Sequence, residues 1–290
     1  MTNLILSVTD NYNYFQLARF FKTLETCGYS GHMCLFVGPN TGIRTIARLK
    51  QHNIEVIQYN GTFPFVAQPH PDNFQNLPSP IHVYNYRFYL YYDYLLKQGH
   101  RFHNVMLTDI RDVVFQKDPF DFNLNDSINV AMENPSIKLG QCSYNTKWML
   151  AGYDEPTLQR FANEVISCSG TTFAPVYLMK QYLIKMLESI QQIKDAYHCG
   201  DQAVHNVLVH SQQIQPLQKL DNDTGPVLTL GSEAEYGITS EGHVTNKSGR
   251  VVNIVHQYDR HARLNSLYDK KAFPFPLQRW WTKRLFKYIP

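Results

Sequence analysis

Cysteine, long apolar runs and acidic residues near the C-terminus are scarce in this 290-residue sequence. The five cysteines are scattered and include no Cys-x-x-Cys pair, so neither a zinc site nor a disulfide framework is predicted. A reducing compartment is therefore expected. No window approaches the roughly 20 consecutive apolar residues that a membrane span needs. The short apolar run at the N-terminus has no basic segment before it and predicts no signal peptide.

Positive charge is concentrated at the C-terminal end of the chain. Residues 270–290 contain six Lys and Arg and no acid, so the formal charge of +3 leaves −3 for residues 1–269. This distribution argues against a nucleic-acid-binding surface on the main part of the chain. With 43% hydrophobic and 18% charged residues, the composition predicts a globular protein.

The first sixty residues alternate between apolar runs of strand length and segments with helical periodicity. The predicted strands are 4–8, 32–37 and 54–57, and the predicted helices between them are 14–26 and 43–51. This alternation is typical of a parallel sheet with helical crossovers. Residues 60–80 contain five prolines and predict a long functional loop.

Residues 105–120 place charged side chains directly after an apolar run of strand type. Asp109, Arg111 and Asp112 follow this run, and a second apolar run carries the chain away. Two carboxylates on a short segment suit Mg²⁺ or Mn²⁺, which bind oxygen ligands and leave positions for substrate phosphates. Alternatively, Asp109 and Arg111 form a turn with a surface ion pair, and Asp112 is an N-terminal cap.

This stretch resembles the Asp-x-Asp region of GT-A glycosyltransferases, where an apolar strand, Asp-x-Asp, apolar residues and an acidic-Pro step follow one another. The Asp-Pro-Phe step at 118–120 matches the end of that pattern, whereas two residues rather than one separate Asp109 from Asp112. The resemblance implies that Asp112 binds the metal and that Asp109 binds the metal or the donor ribose. Arg111 would pair with one of these carboxylates or with phosphate.

Three other positions are predicted to lie near a nucleotide donor. Thr9 and Asp10 follow the first strand, at the edge where α/β sheets bind ligands and GT-A families place the donor base. Alternatively, Asp10 caps the next helix. Arg87 interrupts an aromatic-rich predicted helix at 81–97, and a buried guanidinium needs an anionic partner. Similar enzymes have an Arg there that approaches the donor or the metal-binding carboxylates, and a structural ion pair is the alternative.

Two segments in the second half of the chain resemble donor-sugar motifs of the same superfamily. Residues 165–173 form a predicted strand running into small residues at Gly170, similar to the Asn-(Ser/Ala)-Gly segment whose backbone turn approaches the donor sugar, with Cys168 in place of Asn. Asp201 and Gln202 are similar to the Asp-Gln motif of retaining enzymes such as glycogenin and the bacterial lipopolysaccharide galactosyltransferases. There the Asp contacts sugar hydroxyls and the Gln lies near the anomeric carbon. Alternatively, Asp201 is an N-cap and Gln202 an exposed first-turn residue.

His256 ends a predicted strand at 251–256, where GT-A enzymes often supply a third metal ligand. Neutral imidazole suits Mn²⁺. His261 is the other candidate, and Asp259 or Arg260 would orient either ring.

The tail at 277–289, if helical, carries Leu and Trp on one side and Arg and Lys on the other. That pattern is typical of an interfacial helix attracted to anionic lipid. Alternatively, this helix packs on its own domain.

The resemblance implies an α/β fold of the GT-A (Rossmann-like) type, a single domain with a mixed central sheet flanked by helices. Its predicted extent is 1–269, with a nucleotide-sugar-binding half at 1–120, an acceptor half at 121–269 and a basic amphipathic tail at 270–290. The implied reaction transfers a hexose from a nucleotide sugar, a UDP-sugar, to a hydroxyl of a glycan or glycolipid with Mn²⁺ or Mg²⁺. The Asp-Gln motif favours retention, whereas inversion would use Asp201 as the base. A cytoplasmic enzyme with peripheral contact at the inner face of a membrane is expected.

Two other functions stay open at this point. One is a sugar-binding module that has kept the fold and lost turnover. The other is a phosphatase of the haloacid dehalogenase type, because an apolar strand followed by Asp-x-x-Asp slightly resembles its nucleophile motif. That family, however, needs Asp-x-Asp, usually near the N-terminus.

Overall fold

The structure, a computed structural model, describes residues 1–60, 78–231 and 234–287, with side chains up to residue 285 at the C-terminal end. Most of the predicted loop at 60–80 lies outside these residues, as do Tyr288 and Ile289 of the predicted tail helix.

Strands and helices alternate along much of the described chain. The strands are β1 (Thr2–Thr9), β2 (His32–Val37), β3 (Glu55–Gln58), β4 (Phe102–Thr108), β5 (Val113–Phe115), β6 (Ile128–Met132), β7 (Ser167–Pro175), β8 (Leu217–Leu220), β9 (Val227–Thr229), β10 (Gly237–Ile238), β11 (Val244–Thr245) and β12 (Ile254–His256). The helices are α1 (Tyr14–Thr26), α2 (Ile43–Leu49), α3 (Val83–Gln98), α4 (Ser143–Gly152), α5 (Glu155–Phe161), α6 (Val176–Ile190), α7 (Asp201–His210), α8 (Ala262–Ala272) and α9 (Pro276–Lys287).

Seven of these strands form a central sheet in the order β3-β2-β1-β4-β7-β6-β8. β1 pairs in parallel with β2, and β2 with β3, whereas β6 and β7 are antiparallel, so the sheet is mixed. Smaller sheets form from β5-β12-β9 and from β10-β11. The predicted α/β class, with a mixed central sheet flanked by helices, is confirmed.

Helix α1 shows why the local sequence patterns predicted these elements well. Its bounds are those predicted, because a capping box defines its start and an apolar face follows. The Asn13 side chain accepts from the Gln16 backbone N–H (3.1 Å), and the Gln16 side chain accepts from the Asn13 N–H (3.0 Å). Leu17, Phe20 and Phe21 on its inner face are buried.

The chain divides into two compact units, each built from separate segments. Unit one comprises Met1–Asn3, Gly61–Leu107 and Leu124–Lys219, and unit two comprises Leu4–Asn60, Thr108–Asn123 and Leu220–Pro290. The predicted division into halves at residue 120 stays a prediction.

The two units have different cores. In unit one, the aromatic helix α3 is buried, and Phe88 packs edge-on against Tyr182 with ring centroids 6.2 Å apart. In unit two, a core cluster that includes Val114, Val255 and Tyr258 lies around the β5-β12-β9 sheet.

Residues 143–152 form a span for which the sequence patterns described above predicted no helix. It contains helix α4 in unit one. The large hydrophobic side chain that this helix buries is Met149, so its apolar pattern is weak. The helix packs closely through Gly152. A Cβ added at Gly152 would lie 2.4 Å from Sγ of Cys199.

Asp269 of α8 is a buried acid that pairs with two arginines in unit two. It accepts from Arg19 of α1, with Nε 2.6 Å from Oδ1, and from Arg279 of α9. Asp269 and Arg19 are 4% and 8% exposed. Removing the acid would leave Arg19 as an uncompensated buried charge.

We therefore expect Asp269→Asn to lower the free energy of unfolding by about 3–5 kcal/mol, measured by urea denaturation. The control is Glu188→Gln, which removes an exposed pair with Lys185 and should cost less than about 1 kcal/mol. Equal losses for the two variants would contradict this account of the buried pair.

Candidate functional site

The register of two short strands in unit two brings Asp112 and His256 together. β5 runs antiparallel to β12, with Val113 opposite His256. The Gln257 backbone N–H donates to the Asp112 carbonyl oxygen at 2.7 Å. Gln257 has a φ of 61°, so the chain leaves the strand immediately after His256. Residues distant in sequence are thus held side by side by backbone pairing.

Asp109, Asp112 and His256 form a cluster in which one possible ligand atom from each lies within 4.8 Å of the other two. Nε2 of His256 is 3.4 Å from Oδ2 of Asp109 and 3.7 Å from Oδ1 of Asp112. At a metal–oxygen distance of about 2.1 Å, neighbouring octahedral ligands lie about 3 Å apart, so small side-chain shifts would suffice.

The donor set of this cluster fits a divalent cation. One imidazole nitrogen and two carboxylate oxygens suit Mn²⁺ or Mg²⁺. The His256 side chain is 1% exposed and that of Asp109 is 36% exposed. Asp109 therefore leaves the cluster accessible on one side, where oxygens of a substrate could complete the coordination.

Arg111 connects this cluster to another acid. Its Nη2 lies 3.2 Å from Oδ2 of Asp259 and 4.0 Å from Oδ2 of Asp112, and its guanidinium lies 5.8 Å from the Tyr12 ring centroid. Asp259, expected to orient a histidine, thus pairs with Arg111. His261 places Nε2 3.0 Å from the Gly231 carbonyl oxygen, and the cluster does not include it.

Thr9 and Asp10 lie at the carboxyl end of β1, as predicted. The Asp10 carboxylate accepts from the backbone N–H and the side-chain amide of Asn40, each at 3.0 Å. Gly38 allows this approach, because a Cβ there would lie 2.5 Å from Oδ1 of Asp10. Burial and the Asp10 charge raise the pKa of Tyr59. The alternative that Asp10 caps α1 is wrong, since Asn13 is the N-cap.

Asp201 is the first residue of α7 in unit one. The N-cap is Gly200, so the interpretation of Asp201 as an N-cap is wrong. Its carboxylate is buried and forms an ion pair with Arg87 of α3. The ion-pair alternative for Arg87 is therefore observed, and its predicted role near the donor stays a prediction.

Gln202 is held by three partners rather than exposed in the first turn. Its Oε1 accepts from the Ser169 backbone N–H at 3.3 Å. Its Nε2 donates to Oε1 of Glu133 at 3.1 Å and to Oδ1 of Asn145 at 3.3 Å. Sequence reasoning did not single out these partners, although Glu133 directly follows the apolar run at 128–132 that forms β6. The amide plane of Gln202 is thereby oriented.

Gly170 lies inside strand β7 instead of in a turn. The pairing of β7 with β6 is irregular there, since Val130 faces Thr172 while the next residue, Ala131, faces Cys168. Residues 169–171 therefore form a bulge. A bulge redirects the backbone, and a glycine in it permits close approach of a ligand or another chain segment.

Two buried side chains of α7 anchor this helix to β7. Asn206 accepts from the Ser167 N–H and donates to the carbonyl oxygens of Ser167 and Gln202, each at 2.8 Å. His205 lies between the hydroxyls of Ser167 (2.9 Å) and Tyr182 (2.8 Å). Burial, with the nearby His210 and Arg87, lowers the pKa of His205 to about 3, so its ring is neutral near pH 7. These bonds restrain the helix turn that carries Gln202.

Known structures share this architecture, although the sequence matches no protein-family model and no curated protein. A crystal structure of the galactosyltransferase LgtC in complex with donor and acceptor sugar analogs is similar, with a TM-score of 0.53 and 16% identity over 94% of this chain and 96% of that chain. The chain has the GT-A fold. A structure of an active-site mutant of LgtC has a TM-score of 0.50 and 16% identity, over 91% of this chain and 94% of that chain. The GT-A fold implied by the sequence resemblance is thereby confirmed.

The two candidate histidines provide a matched test of whether the Asp109, Asp112 and His256 cluster binds a metal. We expect His256→Ala to weaken Mn²⁺ binding at least about tenfold, because it removes one of three converging ligands. His261→Ala should bind Mn²⁺ like the wild type, since its ring binds a backbone carbonyl instead. Isothermal titration calorimetry measures both affinities, and circular dichroism checks that each variant folds. Loss of binding in His261→Ala alone would refute the assignment.

Proposed function

We propose that this protein is a metal-dependent glycosyltransferase that moves a hexose from a nucleotide sugar, a UDP-sugar, to a hydroxyl of a glycan or glycolipid. The observation that carries the proposal is the convergence of Asp109, Asp112 and His256 on a GT-A fold. A further support is that LgtC was crystallised with donor and acceptor sugar analogs.

The metal cluster would hold Mn²⁺ or Mg²⁺ through Asp112 and His256, with Asp109 as a ligand or as a partner of the donor ribose. When bound, the cation neutralises charge that develops on the diphosphate leaving group. Arg111 is held by Asp259, which orients its planar fork, and a guanidinium suits the oxygens of a donor phosphate.

Thr9 and Asp10 would contact the nucleoside of the donor. Oγ1 of Thr9 is buried and has no hydrogen-bond partner within the described residues. Buried hydroxyls normally form a hydrogen bond, so a polar group of the donor nucleoside would be the partner of this hydroxyl. Asp10 is held in place by Asn40, which leaves its carboxylate in a defined orientation.

Asp201 and Gln202 would contact the hexose, with Gln202 close to the anomeric carbon and Asp201 bonded to sugar hydroxyls. Support comes from the orientation of Gln202 by Ser169, Glu133 and Asn145. In addition, the second LgtC structure carries an active-site glutamine substitution. Gly170, in the bulge of β7, would allow backbone contact with the sugar, and Arg87 would act near the donor.

Retention is the proposed stereochemical course. The departing phosphate can take the proton of the acceptor hydroxyl, so this course needs no enzyme base. Asp201 is already engaged by Arg87, which restricts its movement toward an acceptor. Under the alternative, inversion, Asp201 would be the base.

Peripheral contact with the inner face of a membrane is part of this proposal, through residues 277–289. In α9, Leu277, Trp280, Trp281 and Leu285 are all exposed. None of the helices in the described segments is long and apolar enough to cross a membrane. Surface contact would bring the protein to a glycolipid acceptor.

UDP release from UDP-hexoses tests the proposed reaction. We expect release with Mn²⁺ and loss of release when EDTA removes the metal. Gln202→Ala should lower kcat by about 100-fold, because the loss of one positioned polar group from an enzyme active site has an effect of about this size. Gln159→Ala is the matched control, since this glutamine is exposed and its side chain bonds only to Glu155 of its own helix in the described structure.

Other outcomes would assign a different function. Sugar binding without UDP release from any donor would identify a binding module that has lost turnover. Release of inorganic phosphate from a phosphomonoester would identify a phosphatase. Full activity of Gln202→Ala would show that the Gln202 side chain takes no part in the reaction.

A further inference from the structure

A cavity of about 230 Å³ lies within unit two, where helices α1, α2 and α9 meet. Its apolar wall includes the rings of Tyr14 and Phe273 and the side chain of Leu285. Polar side chains from all three helices also line it: Lys22, Arg48, Gln278 and Thr282. An apolar wall combined with cations suits an amphipathic anion.

Arg48 is the main positive charge of this cavity. Its guanidinium lies 5.4 Å from the Tyr14 ring centroid, and it donates to Oε1 of Gln51. Lys22 is partly neutralised, because its ammonium binds Oε2 of Glu25 at 2.9 Å. No acid forms an ion pair with Arg48 in the described part of the chain, so its charge is available to an anion.

Glu25 is an acid that contacts Lys22 at the cavity. Its second oxygen, Oε1, lies 2.5 Å from Nδ1 of His52. The carboxylate is therefore shared between Lys22 and His52 and does not cancel the charge of Arg48. The net charge of the side chains that line the cavity is therefore positive.

Two of the helices that line the cavity, α2 and α9, also carry exposed apolar and basic side chains. α2 exposes Ile43, which is 78% exposed, and Arg44, while α9 exposes Trp280 and Trp281. Neither helix contains an Asp or Glu. Exposed indoles next to arginine and lysine are typical of helices that lie in the headgroup region of a bilayer. A soluble anion would account for the cavity but not for the exposed indoles.

We propose that α2, α9 and the cavity between them form a membrane-binding surface that seats the phosphate of an anionic lipid between Lys22 and Arg48. The proposal rests on the peripheral contact proposed above for residues 277–289, and adds a second helix and a headgroup site to it. Gln278 supplies an amide that can donate to the headgroup, and the apolar wall faces the adjoining glycerol or acyl carbons.

Sedimentation with vesicles tests this surface on the full-length protein. We expect binding to vesicles that contain phosphatidylglycerol, little binding to phosphatidylcholine alone, and weakening by salt. Arg48→Gln should weaken binding roughly fivefold, the effect of one cation near an anionic surface. The matched control is Arg160→Gln, which removes an equal charge from an exposed arginine of α5 that does not line the cavity.

Each other outcome overturns a defined part of the proposal. If the two arginine variants bind alike while Trp280→Ser with Trp281→Ser abolishes binding, the headgroup site is refuted and contact through α9 remains. If the protein ignores anionic vesicles but binds glycerol 3-phosphate in calorimetry, the cavity takes a soluble anion and the membrane surface is refuted. UDP release with a soluble acceptor should match the wild type in all these variants, which separates failure here from failure of the transferase proposal.

Discussion

The pairing of β5 with β12 is the constraint on which the cluster of Asp109, Asp112 and His256 depends. Val113 and His256 face each other in one antiparallel ladder. This pairing places the His256 imidazole beside the carboxylate of Asp112, which directly precedes β5. A shift of one residue would turn His256 to the opposite face of the sheet, because side chains alternate along a strand. The buried neighbours of these strands, Val114 and Val255, oppose such a shift since both belong to the core. Core packing therefore specifies the geometry of the cluster.

Unit one uses buried hydrogen bonds for a similar purpose. Asn206 completes the backbone bonding of Ser167, and His205 is bonded at both ring nitrogens. Losing such a partner would leave a buried polar group unsatisfied, which costs about 1–3 kcal/mol. The start of α7 is consequently rigid. Gln202 extends from this start and is oriented by groups from three other segments.

Charge in unit two separates by chemical role. The acids Asp109 and Asp112 lie near His256. The cations Lys22 and Arg48 instead line the cavity between α1, α2 and the basic helix α9. Asp269 holds α9 against α1 through Arg279 and Arg19. Arg279 directly precedes Trp280 and Trp281 in α9, and both indoles are exposed.

Local patterns in the sequence predicted the elements with good accuracy, because periodicity and capping depend on residues a few positions apart. The bounds of α1 and β2 are those predicted, and the run of strand, helix and strand correctly indicated a parallel pairing of β1, β2 and β3. Helix α4 was missed since it is held by Gly152 and Asn145 rather than by an apolar stripe.

The sequence by itself determined which side chains could bind a cation or a sugar, since carboxylates and imidazoles at strand ends are visible in it. Only the tertiary structure decided their partners. It paired Asp201 with Arg87 and Asp259 with Arg111, and it placed His256 rather than His261 beside Asp109. Strand register and helix packing set these contacts, and both depend on burial of apolar residues that lie far apart in the sequence.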